Sequence, residues 1–189
     1  SSSSAVYGNP NEIPTSENAL INPLNPYAFQ KYEFEKYLEI MSTRYPINYC
    51  SLRYFNPYGN RSFNPKNPMN AYSSVIGIFL NNYKMNAPLK IYGSGNQSRD
   101  FIHVNDVAKA NLCVASNINI SNGKVYNVGY GKTYKIKDIA NFISNEIIYE
   151  EERTGEANTT WADISSLQKL GWNPEIDVFD YLKNELNLK

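Results

Sequence analysis

The chain has 189 residues, 42% of them hydrophobic and 14% aromatic, and its 18 basic and 18 acidic residues give zero formal net charge. This content is enough to bury a core, and the length suits one domain or one domain plus part of another. Balanced charge argues against a surface that coats a polyanion, so no nucleic-acid partner is expected. No apolar run approaches the ~20 residues of a membrane-spanning helix, so no membrane partner is expected either.

Strand-like and helix-like segments alternate along the chain. The first helix is predicted from Pro26 to about Tyr45, where Phe34, Leu38 and Met41 recur at intervals of three or four with charged residues between them. Such spacing indicates an amphipathic helix. Downstream, the sequence predicts strands at 47–55, 89–92, 99–101 and 124–128 and helices at 73–83, 105–115, 136–144, 164–170 and 178–185. Helices between strands indicate an α/β fold.

The cysteines and the single histidine offer no metal site. Cys50 and Cys113 lie in apolar runs with no His or Cys at metal-ligand spacing. This usage predicts reduced core thiols in a cytoplasmic protein and no bound metal. His103 lies in an apolar stretch and is expected to be packed or solvated rather than catalytic.

Tyr27 and Lys31 are the residues most suggestive of chemistry. Residues four apart share one face of a helix, so the phenol and the ammonium can point to one spot. A free phenol has a pKa of about 10, and a fixed ammonium nearby favours the phenolate and lowers that pKa. A serine close by could share the hydrogen bond to a reacting hydroxyl. Alone, the pair is equally typical of a surface helix with a tyrosine packed at its start, because the chain has 16 Tyr.

A dinucleotide-binding loop is not recognisable in the sequence. Such a loop needs Gly-x-Gly-x-x-Gly between a strand and a helix, whereas the pairs Gly93/Gly95 and Gly129/Gly131 lie late and lack the third glycine. Both pairs are typical of turns. Ser1 has the character of the end of a buried strand, so the chain is expected to be the C-terminal portion of a longer protein.

Several motifs occur together in one order. They are SSAVYG at 3–8, NPYAFQK at 25–31, LRYFNPYG at 52–59, LKIYGSGNQSRDFIHVND at 89–106, RTGE at 153–156, WADIS at 161–165 and LGWNP at 170–174. This series resembles the C-terminal part of the extended short-chain dehydrogenase/reductase family, specifically its NAD-dependent nucleotide-sugar epimerases and dehydratases. The likeness is strongest to UDP-glucose and UDP-N-acetylglucosamine 4-epimerases. The resemblance implies part of a Rossmann-type, doubly wound parallel sheet, a smaller mixed α/β substrate-binding domain, and NAD as cofactor.

The resemblance also implies the catalytic residues. Ser3 takes the position of the family's catalytic Ser or Thr, with the neighbours Ser2 and Ser4 left open. Tyr27 is implied as the base. Lys31 is implied to lower the pKa of Tyr27 and to hold the nicotinamide ribose.

Further roles follow from the same resemblance. Tyr54 and Phe55 are implied to lie near the nicotinamide, so that the cofactor-binding set is Tyr27, Lys31, Tyr54 and Phe55. The run at 67–76 is similar to one that lines the nucleotide pocket of epimerases acting on UDP-sugars. The implied substrate-binding residues are Asn56, Tyr72, Ile91, Tyr92, Arg99, Arg153, Glu156 and Thr160.

Reaction type is inferred from the two positions after Ser3. Related 4,6-dehydratases carry Asp and Glu there, and decarboxylating relatives carry Glu at the second, whereas this chain has Ser4 and Ala5. The carboxylates that dehydration or decarboxylation would need are therefore absent from these two positions. Their absence favours 4-epimerisation by reversible oxidation at C4. A dehydratase or decarboxylase of the same family is the first alternative. A catalytically silent nucleotide-sugar-binding fragment is the second.

Three finer expectations complete the interpretation. The resemblance places Thr160 beside the sugar's 2-substituent, where a small residue admits N-acetyl groups. It implies a homodimer formed through the helix of Tyr27, although Phe34 and Leu38 could equally be buried within one subunit. The expected domains are a Rossmann remnant at 1–60 and a nucleotide-sugar-binding domain at 61–189, with the segment 104–130 packing back on the Rossmann part.

Overall fold

The computed structural model describes residues 1–64, 66, 73–153, 155 and 157–188. The strands are β1 (Ser2–Ser3), β2 (Cys50–Tyr54), β3 (Pro57–Tyr58), β4 (Leu89–Tyr92), β5 (Ser98–Asp100), β6 (Ile102–His103), β7 (Lys124–Val128), β8 (Thr133–Lys135) and β9 (Ile147–Glu150). The α-helices are α1 (Pro26–Arg44), α2 (Val75–Lys84), α3 (Val104–Ser116), α4 (Ile118–Ser121), α5 (Ile136–Ile143), α6 (Ser165–Gln168) and α7 (Val178–Glu185), and a 3₁₀-helix spans Ser4–Tyr7.

A parallel three-stranded sheet in the order β1-β2-β7 forms the first layer. Ser3 is in register with Tyr54, and Tyr54 with Val128. Because parallel strands run in one direction, their carboxyl ends lie at one edge, and the long connections between them carry helices. The α/β fold with a parallel sheet is therefore confirmed.

A second layer gathers three strand pairs and their helices. β4 pairs with β9 in parallel, β3 with β6 in parallel, and β5 with β8 in antiparallel fashion. The largest core cluster lies here, and its buried residues come mainly from α2, β4, α5 and α7. A separate cluster joins β2, α3 and β7, so residues within 104–130 pack against the first sheet. The division into two domains stays a prediction.

Helix α1 differs from the amphipathic helix expected. Phe34 and Tyr45 are more than half exposed, and Leu38 is only partly buried. The residues that α1 buries are Ala28 and Glu35. Within this chain the predicted apolar stripe is thus uncovered, because the face of α1 that meets the sheet is the one carrying Glu35.

The sequence analysis predicts no strand at the position of β9. Its four residues follow α5 closely, and only their pairing with β4 identifies them as a strand. The two cysteines are free thiols and are partly buried. Among the described residues, no group of three or more His, Cys, Asp or Glu side chains could hold a metal, and no helix has both the length and the apolar character needed to cross a membrane.

Truncating Leu182 should destabilise the protein. Leu182 is fully buried in the core beneath α7, so Leu182→Ala should lower the free energy of unfolding by about 2–5 kcal/mol. Asn184→Ala, at an exposed position of the same helix, should change it by no more than about 0.5 kcal/mol. Denaturant unfolding of the full-length protein measures both, and equal effects would contradict this assignment of the core.

Candidate functional site

A cleft of about 410 Å³ opens at the carboxyl ends of β1 and β2. The 3₁₀-helix, the start of α1 and the segments around 99 and 155–160 form its walls. Its lining residues are Ser2, Ser3, Ser4, Ala5, Gly8, Leu24, Asn25, Tyr27, Tyr54, Asn56, Pro57, Arg99, Gly155, Ala157 and Thr160.

The first turns of α1 bring Tyr27 to this cleft and Lys31 beside Tyr27. Asn25 caps the helix, since its side chain accepts a hydrogen bond from the Ala28 backbone N–H at 2.9 Å. The Lys31 Nζ lies 5.8 Å from the centroid of the Tyr27 ring and donates to the Ser1 carbonyl at 3.1 Å. The helical spacing therefore sets an ammonium beside a phenol at the edge of the cleft.

The three serines at the end of β1 have different environments. The Ser2 hydroxyl donates to the buried Glu35 carboxylate. The Ser3 Oγ accepts from the Ala5 backbone N–H at 3.2 Å and so caps the 3₁₀-helix. Ser4 is partly buried. The structure thus brings Ser3 and Tyr27 to one cleft, and the catalytic role of Ser3 stays a prediction.

Asn56, Thr160 and Arg99 form the opposite wall. Asn56 has a positive φ of 36°, and its side-chain amide donates to the Asp100 carbonyl at 2.8 Å and to the Thr160 hydroxyl at 2.9 Å. The Arg99 guanidinium donates to the Ser98 carbonyl at 3.0 Å. Both N–H groups of the Asn56 amide are thus engaged within the protein. Arg99 brings a guanidinium, which suits phosphate oxygens, to the same side of the cleft.

The buried carboxylate of Asp100 holds the segments behind this wall together by hydrogen bonds. The sequence analysis does not identify this residue. Its fully buried carboxylate accepts from the backbone N–H groups of Tyr130 at 2.6 Å, Gly131 at 3.0 Å and Ala162 at 3.0 Å. Burial raises the pKa of Asp100 to about 7. The three backbone N–H donors act in the opposite direction and lower the pKa, but burial has the larger effect. A carboxylate inside a predicted strand was the available signal, because a buried charge needs partners.

The remaining predicted site residues are placed differently. Tyr54 lines the cleft, and its hydroxyl lies 3.0 Å from the Asn111 side-chain amide. Phe55 and Ile91 are buried in the core, each 1% exposed, so their side chains do not reach the cleft. The Arg153 guanidinium stacks 3.7 Å from the centroid of the Tyr92 ring, and neither residue is among those that line the cleft.

Two predicted residues lie outside the described part of the chain. They are Tyr72 and Glu156. Their roles stay predictions, as do all the roles assigned to individual site residues.

Comparison with known protein families decides the identity of the fold. The model of the NAD-dependent epimerase/dehydratase family matches residues 1–129. The chain belongs to this family. The resemblance carried by the sequence motifs is therefore confirmed at the level of the family.

Individual members of the family are similar along nearly the whole chain. A protein from Methanocaldococcus jannaschii that is provisionally named a UDP-glucose 4-epimerase is 41% identical, over 99% of this chain and 60% of its own length. The UDP-N-acetylglucosamine 4-epimerase from Methanobrevibacter ruminantium M1, solved with UDP-N-acetylmuramic acid, is 36% identical with a TM-score of 0.85. The match covers 98% of this chain and 59% of that one.

A third member was solved with a dinucleotide. The UDP-glucuronic acid 4-epimerase from Bacillus cereus, in complex with UDP-glucuronic acid and NAD, is 27% identical with a TM-score of 0.86, over 98% of this chain and 59% of that one. The chain thus spans about three fifths of the length of the relatives it matches.

The buried Asp100 carboxyl should make stability depend on pH. Its folded pKa of about 7 exceeds the unfolded value of about 3.9, so the folded state binds this proton more tightly. The resulting stabilisation is complete below about pH 4 and is lost as the pH rises to about 7. Asp100→Asn should flatten the curve of unfolding free energy against pH in that window, relative to the wild type.

The matched control is Asp138→Asn, at an exposed position of α5. Its curve should follow that of the wild type. A wild-type stability that rises between pH 4 and 7 relative to Asp100→Asn would contradict the raised pKa.

Proposed function

We propose that the full-length protein is an NAD-dependent nucleotide-sugar 4-epimerase acting on UDP-hexoses, UDP-N-acetylhexosamines or both. The observation that carries this proposal is the meeting of Ser3 and Tyr27 in one cleft, with Lys31 beside Tyr27. Family membership supports the choice of cofactor. The names of the similar proteins support a UDP-sugar as substrate.

The chemistry needs only a few groups from this chain. Tyr27 as phenolate takes the proton of the sugar's C4 hydroxyl, Ser3 shares the hydrogen bond to that oxygen, and the Lys31 ammonium favours the charged phenol. Bound NAD would supply the hydride acceptor for C4 and, once reduced, the hydride donor to the other face of the 4-keto sugar. Tyr27 then gives the proton back to the C4 oxygen, so that protons and electrons balance over the cycle.

The residues available fit the nicotinamide end of this cofactor. Tyr27 and Tyr54 line the cleft, and the Lys31 Nζ lies 5.8 Å from the centroid of the Tyr27 ring. These three would hold the nicotinamide and its ribose. Phe55, whose side chain is buried, would contribute through its main chain.

Epimerisation is favoured over elimination by what lies beside Ser3. Ser4 and Ala5 both line the cleft, and neither carries a carboxylate. Removal of water from C5 and C6 requires an acid and a base at that place, which these two residues do not supply. A 4-keto-6-deoxy product would instead identify a dehydratase, the alternative within the family.

The nucleotide is assigned to the opposite wall. Arg99 lines the cleft, and its guanidinium suits diphosphate oxygens. Asn56 also lines the cleft and is assigned to the same diphosphate, although both N–H groups of its amide are bonded to Asp100 and Thr160. Arg153 and Tyr92, with Ile91, Tyr72 and Glu156, are assigned to the nucleoside side. Arg153 and Tyr92 are assigned together because the guanidinium of the one stacks on the ring of the other.

Assembly and location complete the proposal. We propose a cytoplasmic homodimer that uses α1, because Phe34 and Tyr37 stack at 6.1 Å while each is more than half exposed. We expect the 189 residues alone to show no turnover, since the sequence contains no glycine-rich dinucleotide loop. Release of no dinucleotide on denaturing the native protein would favour the silent binding fragment instead.

Removing the Tyr27 hydroxyl should abolish most of the activity. Tyr27→Phe deletes the proton acceptor while keeping the ring, so kcat for conversion of UDP-glucose to UDP-galactose should fall by about 10²–10⁴. Tyr149→Phe removes a hydroxyl at an exposed position of β9 and should leave kcat unchanged. Equal rates for Tyr27→Phe and the wild type would contradict the assignment of the base.

Bulk at position 160 should select between substrates. Thr160 lines the cleft, and Thr160→Tyr should abolish conversion of UDP-N-acetylglucosamine while sparing UDP-glucose. Because the Thr160 hydroxyl also accepts from Asn56 and from the Asp100 backbone N–H, Thr160→Val is the control that removes these bonds without adding bulk. Equal loss on both substrates in Thr160→Tyr would disprove the assignment.

A further inference from the structure

We propose that the buried ion pair of Arg53 and Glu35, together with Ser2, positions helix α1 against the sheet so that Tyr27 and Lys31 face Ser3. These three are positioning residues, since they act through the groups that carry the chemistry. The inference rests on the proposed function for its catalytic consequence. Its structural part stands on the geometry of the network.

The ion pair is bidentate and shielded from water. Arg53 Nε donates to Glu35 Oε1 at 2.9 Å and Arg53 Nη2 to Glu35 Oε2 at 2.6 Å. The two side chains are 5% and 7% exposed. The Ser2 hydroxyl donates to the same Glu35 Oε1. Two parallel bonds fix the angle between the groups as well as their separation.

Glu35 lies on the same helical face as the proposed base. It follows Tyr27 by eight residues and Lys31 by four, a spacing that aligns the three along one stripe. Within α1, all of which is described, only Ala28 and Glu35 are buried. Ala28 and the partly buried Tyr32 provide apolar contact, which is non-directional. The bonds of Glu35 are directed and buried, so they contribute most to fixing the rotation of α1, and the exposed bond from Lys31 to the Ser1 carbonyl adds to them.

The remaining nitrogen of the Arg53 guanidinium is held by the 3₁₀-helix and by the loop that follows it. Its Nη1 donates to the Tyr7 hydroxyl at 2.9 Å and to the Glu17 carbonyl at 3.1 Å. Burial raises the pKa of Tyr7 to about 12, so its phenol keeps its proton and donates to Asn127 Oδ1 at 2.6 Å. Burial opposes the charge on Arg53, but its bonds with Glu35 and Tyr7 raise its pKa.

The network therefore joins the helix to every strand of the first sheet. Ser2 is on β1, Arg53 on β2 and Asn127 on β7, and Ser2 and Arg53 are direct register partners. A shift of α1 would break bonds to two neighbouring strands at once. Ser3 directly follows Ser2, so the same bonds set where the Tyr27 phenol stands relative to the Ser3 hydroxyl.

Stability alone does not account for such a pair. Desolvating two charges costs so much that well-packed apolar side chains often serve the fold equally well or better. A buried ion pair with two parallel hydrogen bonds is useful where the orientation of a helix matters. Small misplacement of a catalytic group is costly in rate, since reacting atoms must lie within a narrow range of distance and angle.

The test separates orientation from stability in the full-length protein. Glu35→Leu/Arg53→Met removes both charges together and keeps apolar volume, so no unpaired charge is left buried. We expect kcat for UDP-sugar conversion to fall by about tenfold to a hundredfold. KM should stay within about twofold, because the residues assigned to the diphosphate lie on other elements.

Two further variants keep the test decisive. Leu182→Ala destabilises a core far from α1 and should keep the wild-type kcat when assayed well below its unfolding temperature. Arg53→Lys keeps the positive charge but cannot make the two parallel hydrogen bonds to Glu35. It should show an intermediate fall in kcat with unchanged KM, even if the double variant does not fold.

A readout independent of turnover is amide hydrogen exchange across residues 26–44. Exchange there should be faster in Arg53→Lys and in the double variant than in Leu182→Ala. Wild-type kcat and wild-type exchange of α1 in Arg53→Lys would overturn the inference while leaving the proposed function intact. A wild-type protein that converts no UDP-sugar would overturn the proposed function, and the exchange of α1 would still decide whether the network holds the helix.

Discussion

The parallel register of β1, β2 and β7 is the constraint on which the rest of the structure depends. Ser3, Tyr54 and Val128 are aligned across the sheet, so the chain segments that leave each strand emerge at one edge. Parallel neighbours require a long connection, and the connection from β1 to β2 contains α1. The parallel order of these strands thus places the serine segment, the helix of Tyr27 and Lys31, and the turn at Asn56 at the same edge of the sheet.

The opposite wall of the cleft depends on a different interaction, the buried carboxylate of Asp100. It gathers backbone N–H groups from two separate segments, at 130–131 and at 162. Its own backbone is bonded to Asn56 and Thr160. Residues that are distant in sequence therefore form one rigid surface beside Arg99. A cleft that joins the Ser3 and Tyr27 hydroxyls to the Arg99 guanidinium is the geometry on which the proposed substrate, with a hydroxyl and a diphosphate, is based.

Family membership and geometry contribute different parts of the functional conclusion. The family match establishes the family and the fold, whereas function resides in the site that a given chain builds on a shared fold. In this chain the decisive local facts are the convergence of Ser3 and Tyr27 and the absence of carboxylates at Ser4 and Ala5. The proposed role of the charged network behind α1 is to orient Tyr27 and Lys31 relative to Ser3.

The sequence by itself determined the family, the α/β class and the order of most elements, because helical and strand periodicities and turn residues are local properties. The bounds predicted for β7 and α7 match the structure. It also predicted that Tyr27 and Lys31 share a helical face. Only the tertiary structure decided that Glu35, rather than the stripe of Phe34, is the buried side of α1, that Ile91 and Phe55 are core residues, and that β9 exists. Those outcomes depend on which surfaces meet across the chain, and periodicity within one segment carries no information about its partner.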